Sequence, residues 1–119
     1  MTPNVALLRL TLKHIEMAPC TWDQQEWRRK AECGTVMCFA GWACTLAGGQ
    51  WYRASDHVFR SFLKAEDDDE RPSGMVPAES RAKRVLGLTW QQANMLFHDS
   101  NTLADLHRIV DEICAEVES

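Results

Sequence analysis

Cys33-Gly34-Thr35-Val36-Met37-Cys38-Phe39-Ala40-Gly41-Trp42-Ala43-Cys44-Thr45-Leu46-Ala47-Gly48-Gly49 contains no charged side chain. Thr35 is placed to accept a backbone hydrogen bond as an N-cap, and Gly48-Gly49 suits the left-handed turn that ends a helix. Residues 35–47 therefore read as about three turns of helix. A helix that is apolar all round must be enclosed all round. Phe39, Trp42 and Leu46 form a bulky flank, while Val36, Ala40, Ala43 and Ala47 form a thin one that lets a second helix approach closely. The expected fold is all-α: a single domain over residues 1–119, built as a compact bundle of five or six short helices around this buried rod.

The composition permits such a core. A chain of 119 residues, 45% hydrophobic and 25% charged, has an ordinary globular balance. Five tryptophans are many for this length, and each can bury roughly 150–250 Å². The net charge of −4 offers no general positive field for nucleic acid or an anionic membrane. No apolar run reaches the roughly 18 residues that cross a bilayer, and the first residues lack the pattern of a secretion signal. The expected location is the cytoplasm. The five cysteines, Cys20, Cys33, Cys38, Cys44 and Cys114, are an odd number, and three lie in or beside the apolar stretch. They read as reduced, buried thiols rather than a disulfide framework.

Moving outward toward the N-terminus, Thr21-Trp22-Asp23-Gln24 has the form of a capping box and is expected to open a short turn carrying Trp22 and Trp27. The basic run Arg28-Arg29-Lys30 is offset by Asp23, Glu26 and Glu32, so a solvated face is favoured over a strand-binding patch. Thr2-Pro3 is expected to start a helix running to about Met17. Val5, Leu8, Leu12 and Ile15 recur there at spacings of three and four, Leu7 and Leu10 widen the apolar face, and His14 lies beside it.

Toward the C-terminus, Trp51-Tyr52 is an aromatic pair able to lid the rod. Ser55-Asp56 is expected to cap a helix from about His57 to Ala65, with Val58, Phe59, Phe62 and Leu63 on one face. Five consecutive acids and then turn formers make residues 66–76 a flexible acidic loop. Pro77 opens a helix that ends at Gly87, and Thr89-Trp90-Gln91-Gln92 is a second threonine-to-glutamine capping box. Asn101-Thr102 cap the last helix, where Leu103, Leu106, Ile109, Val110, Ile113, Cys114 and Val117 form the cleanest stripe in the chain. That stripe allows a homodimer as readily as packing within one chain. No β-alternation of any length is visible.

Residues 81–97 have the outline of a helix-turn-helix, with Gln91, Gln92 and Asn94 as would-be base readers and Arg81, Lys83 and Arg84 as phosphate contacts. Lys83, however, stands four residues before the glycine, where a small residue is usual, and the second helix carries no arginine or lysine. An ordinary helical hairpin is favoured. A zinc site of Cys33, Cys38, Cys44 and His14 lacks the short knuckle spacing of structural zinc sites. Cys33 at a helix start is a candidate nucleophile, but no pattern assigns it a base among His14, His57, His98 and His107. No catalytic residue, cofactor or metal is expected.

His14-Ile15-Glu16, Trp22-Asp23-Gln24, Trp27, Cys33-Gly34-Thr35-x-x-Cys38-Phe39-Ala40-Gly41-Trp42-Ala43, Val85-Leu86-Gly87-Leu88-Thr89, Ala93, Leu96-Phe97 and Asn101-Thr102-Leu103-x-Asp105-Leu106 follow one another in this order. The set resembles a group of small proteins encoded by bacteriophages of actinobacteria, especially mycobacteriophages, over most of the chain except the acidic loop. The resemblance implies a setting, the cytoplasm of an infected bacterial host, and supplies no catalytic residue. By analogy with small phage accessory proteins, the expected activity is binding to a host or phage protein. Trp22, Trp27, Trp51 and Trp90 are the candidate contacts, because aromatic anchors dominate protein interfaces.

Overall fold

The apolar stretch divides into a strand and a shorter helix. The computed structural model describes residues 2–26, 28–32, 34–51, 62–66 and 74–118. In it Arg29–Ala31 (β1) pairs antiparallel with Gly34–Val36 (β2), with Arg29 opposite Val36, Lys30 opposite Thr35 and Ala31 opposite Gly34. Thr35 therefore sits in a strand and does not cap the helix. Thr and Val are β-branched and suit a pleated strand, and Gly34 supplies the positive φ (106°) at the reversal. Helix α1 (Val5–Met17) precedes this hairpin, and helix α2 (Phe39–Leu46) follows it with Cys38 at its N-cap. The enclosure expected of the rod holds for part of α2: Phe39, Ala40, Ala43 and Cys44 have no exposed surface (0%), while Trp42, Thr45 and Leu46 are half-buried.

Helix α1 packs on α2 through Leu8, Leu12 and Ile15, all buried. Its cap is Asn4, whose Oδ1 accepts from the Leu7 amide at 3.1 Å, so the helix starts beyond the expected Thr2-Pro3. On another side of α2 lies α3 (Ala78–Leu86). Ala78 and Ala82 are almost fully buried, and the Cys44 thiol donates to the Ala78 carbonyl at 3.4 Å. Small side chains on both helices permit that approach. The helix ends as expected at Gly87, in the left-handed region (φ 68°), with Leu88 N–H donating to the Lys83 carbonyl in a Schellman arrangement. A Cβ at Gly87 would collide with the Thr2 carbonyl oxygen.

Phe62–Lys64 (β3) and Met75–Pro77 (β4) form a second antiparallel pair, with Leu63 opposite Val76. This corrects two expectations. The helix placed over 57–65 is strand at 62–64, and its residues 57–61 lie outside the described residues. The loop placed over 66–76 ends in strand at Met75 and Val76, while residues 67–73 lie outside. Phe62-Leu63-Lys64 passes from half-buried to buried to exposed, an alternation too short to stand out from the helical spacing around it. Among the described residues the chain is thus mainly helical, with two short antiparallel strand pairs, and not purely α. Its radius of gyration, 13.7 Å, matches the roughly 13.5 Å of a compact domain of this size.

Helix α4 (Trp90–Leu96) and helix α5 (Leu103–Glu118) complete the described chain. Thr102 and Asp105 cap α5 reciprocally: the Asp105 carboxylate accepts from Thr102 N–H at 3.0 Å and the Thr102 hydroxyl accepts from Asp105 N–H at 3.2 Å. Those bonds hold the Asp105 carboxyl below its ordinary range. Leu106, Ile109, Val110, Ile113 and Cys114 are buried against α1 and α4. The stripe that allowed a homodimer is therefore covered within one chain. Arg9 bridges to Asp111 and Glu118, and Glu16 to His107, so α1 and α5 run antiparallel.

Candidate functional site

Helix α4 is short, and on its own would be marginal in water. It is held at both ends. At the N-terminus the Thr89 hydroxyl accepts from Gln92 N–H (3.1 Å) and the Gln92 side chain accepts from Thr89 N–H (3.0 Å), which is the expected box. At the C-terminus the Asn101 amide donates to the Met95 and Leu96 carbonyls at 2.9 and 3.0 Å. A second amide, from Gln24, donates to the Leu96 and His98 carbonyls at 3.0 and 3.2 Å.

Gln24 was expected to close a capping box with Thr21, and it does not. It is 6% exposed, and its oxygen accepts from Phe39 N–H (3.1 Å) and from the Trp22 indole (3.0 Å). All four bonds available to a primary amide are therefore made. One side chain satisfies the first N–H of α2 and reaches the last carbonyl of α4 and the His98 carbonyl just beyond it, so the position of α4 is set by the core. Thr21 instead donates its hydroxyl to the Ala18 carbonyl at 2.6 Å, in the 3₁₀ turn Pro19–Thr21.

At 100° per residue, Trp90, Asn94, Gln91 and Met95 fall within about 140° of the α4 circumference. All four are exposed, while Ala93 and Leu96 on the opposite side are fully buried. Trp90 is 46% exposed and Met95 43%. The Lys83 ammonium stands 5.0 Å from the centre of the Trp90 indole, a cation–π contact across the α3–α4 turn. The arc thus joins an aromatic ring, a thioether and two amides on a backbone fixed from both sides.

The other tryptophans are placed differently. Trp22 and Trp51 are half-buried, each with its indole N–H bonded inside the fold, to Gln24 and to the Thr45 hydroxyl (2.9 Å) respectively. Arg28 lies 4.7 Å over the Trp51 ring. Trp27 lies outside the described residues. Trp42 on α2 donates to the Thr21 carbonyl at 2.8 Å and meets the His14 ring at a 45° tilt, ring centres 4.1 Å apart.

The residues proposed for DNA contact are not presented together. Arg81 is interior, 1% exposed, donating to the Lys64 carbonyl at 2.7 Å and lying 3.5 Å from the Glu66 carboxylate. Arg84 pairs with the same carboxylate at 2.7 Å, and Gln92 is engaged in the cap. Gln91 and Asn94 remain on the outer arc, beside Lys83. A buried arginine must be compensated. Arg81 is bonded to the Lys64 carbonyl of β3 and stands beside Glu66, so it corrects the expectation of a phosphate contact.

Of the thiols, Cys38, Cys44 and Cys114 are buried. Cys38 borders a cavity of about 250 Å³ that Glu26, Phe97 and Asp99 also line. Burial pushes its thiol up to about 11, outweighing the Gly41 and Ala40 amides that favour the thiolate. A thiol so placed is protonated at neutral pH and a poor nucleophile. Cys33 lies outside the described residues. Among the described residues no group of three or more His, Cys, Asp and Glu is arranged to hold a metal ion. Ser100, His98 and Asp99 invite a triad reading. Both the Ser100 hydroxyl (2.7 Å) and the Asp99 carboxylate (3.5 Å) approach the same ring atom, Nδ1, whereas a relay needs the two nitrogens of the ring.

No protein-family model, curated protein or solved structure matches the chain. The residue that sequence reasoning missed is Gln24. A glutamine three residues after a threonine is a local signal, and its actual acceptors lie more than seventy positions away.

Proposed function

We propose that this is a phage-encoded accessory protein that binds another protein, of host or phage, in the cytoplasm of the infected bacterium, through the outer arc of α4. The observation that carries the reading is Trp90: an indole 46% exposed on a helix immobilised at both ends. Aromatic residues on rigid elements bind at small entropic cost and dominate interfaces. The resemblance of the Cys33–Ala43 motif to actinobacteriophage proteins supports the setting. No catalytic residue, cofactor or metal enters the proposal.

A photoreactive side chain at position 94 provides the test. In infected host cells it is expected to capture one dominant protein, with capture falling at least tenfold in Trp90→Ala while the fold, followed by circular dichroism, is unchanged. Equal capture with Trp90→Ala overturns the reading. A shift of duplex DNA that weakens in Gln91→Ala/Asn94→Ala and falls steeply with salt would replace it with the regulator reading.

A further inference from the structure

Lys83 on α3 reaches across the turn to α4 and sets its ammonium 5.0 Å from the centre of the Trp90 ring. It is treated differently from the arginines of the chain. Arg81 and Arg84, on the same helix, meet the Glu66 carboxylate. Arg9 meets Asp111 and Glu118, Arg29 meets Asp23 and Glu26, and Arg108 meets Asp105 and Glu112. Lys83 meets no carboxylate among the described residues. Acids are not scarce, 17 against 13 basic residues, and Glu79 stands one turn back on α3 at a spacing that permits a pair. The lysine lies on the indole instead.

An aromatic face satisfies an ammonium only in part. The ring attracts the charge through its quadrupole, yet it takes no conventional hydrogen bond, so the N–H donors of Lys83 are left to water. Whatever covers the Trp90 indole must displace that water, because the charge sits on the same ring. A charge stripped of water must be paired. This chain brings no carboxylate to Lys83, so the counter-charge has to come from the other molecule. The remainder of the arc, Gln91, Asn94 and Met95, is uncharged and asks for none. The side-chain amides of Gln91 and Asn94 bond to nothing else among the described residues, and so are open to polar groups of the partner.

We propose, on the reading of the α4 arc as the binding face, that the partner presents an Asp or Glu carboxylate to the Lys83 ammonium at the edge of the Trp90 ring, with an uncharged surface over Asn94 and Gln91. A basic or wholly apolar segment at this point would leave Lys83 desolvated without a counter-charge. The net charge of −4 does not draw an acidic partner from a distance, so the pair acts at contact and shows in the dissociation rate.

The protein captured through position 94 is purified, and its dissociation constant and dissociation rate are measured against Lys83 variants whose circular dichroism matches the parent. Lys83→Met keeps an aliphatic side chain and removes the charge; it is expected to weaken binding about tenfold or more, through faster dissociation. Lys83→Arg, which keeps the charge, is expected to stay within about threefold of the parent. An ammonium that the partner leaves uncompensated gives the opposite sign: its removal relieves a desolvation cost and binding tightens. Lys83→Glu is expected to abolish binding, and a Lys substitution of one Asp or Glu in the cross-linked segment of the partner to restore it. Such rescue cannot come from an unfolded α4. Binding by Lys83→Met that equals or exceeds the parent, or the lack of any rescuing position, overturns the proposal; a tenfold loss with Trp90→Ala in the same series leaves the α4 reading standing. Binding indifferent to Trp90→Ala removes both.

Discussion

Thr21-Trp22-Asp23-Gln24 and Thr89-Trp90-Gln91-Gln92 are nearly the same tetrapeptide, and they do opposite things. In the second, threonine and glutamine satisfy each other's backbone at the start of α4, and the tryptophan is left in solvent. In the first, the glutamine turns inward and ties α2 to α4, drawing the indole of its neighbour in with it. A capping box is worth a few exposed hydrogen bonds. A buried amide that makes all four of its bonds removes several desolvation penalties at once. Where the fold brings the free N–H of a helix start and the carbonyls of a helix end to one point, the second outcome wins.

The largest expected effect separates the two glutamines. Gln24→Ala leaves the Phe39 N–H and the Trp22 indole without the amide oxygen that accepts from them and should cost about 3 kcal/mol by urea denaturation. If it costs no more than Gln92→Ala, the contrast between the two segments fails. Next comes the thiol beside Phe39. Because Cys38 is raised from near 9 to about 11 in the folded protein, the folded state holds that proton more tightly than the unfolded chain. Its contribution is complete below about pH 9 and is lost as the pH rises toward 11, on the order of 2 kcal/mol. Denaturation midpoints across that window should fall more in the parent than in Cys38→Ala, and alkylation of Cys38 near neutral pH should await unfolding.

At the surface segment the effects shrink. Thr89→Ala removes a true N-cap and should cost about 1 kcal/mol. Gln92→Ala, whose group is reached by water, should cost about 0.5 kcal/mol. A reversal, with Thr21→Ala more damaging than Thr89→Ala, would show that the first segment caps after all.

Helices α1, α3, α4 and α5 were legible because periodicity and caps are local. Gly87 ended α3 where a left-handed residue was required, and the Thr102–Asp105 pair started α5 as expected. The hairpins were not legible. Strands of three residues carry one alternation each, below what a period can reveal, and Thr35 reads equally as cap or strand until Arg29–Ala31 is known to lie opposite. Arg81 shows the same limit from the other side. As a letter beside Lys83 and Arg84 it belongs to a basic face, and only the packing of α3 on β3 turns it inward.

Read alone, the chain determined its mainly helical character and the ends of most helices. These follow from spacing along the backbone, which folding does not alter. Tertiary structure decided which of two matching tetrapeptides would cap a helix and which would knit the core, and which flank of α1 would stay open to solvent. Those outcomes depend on groups far apart in sequence meeting in a place where water cannot compete for them.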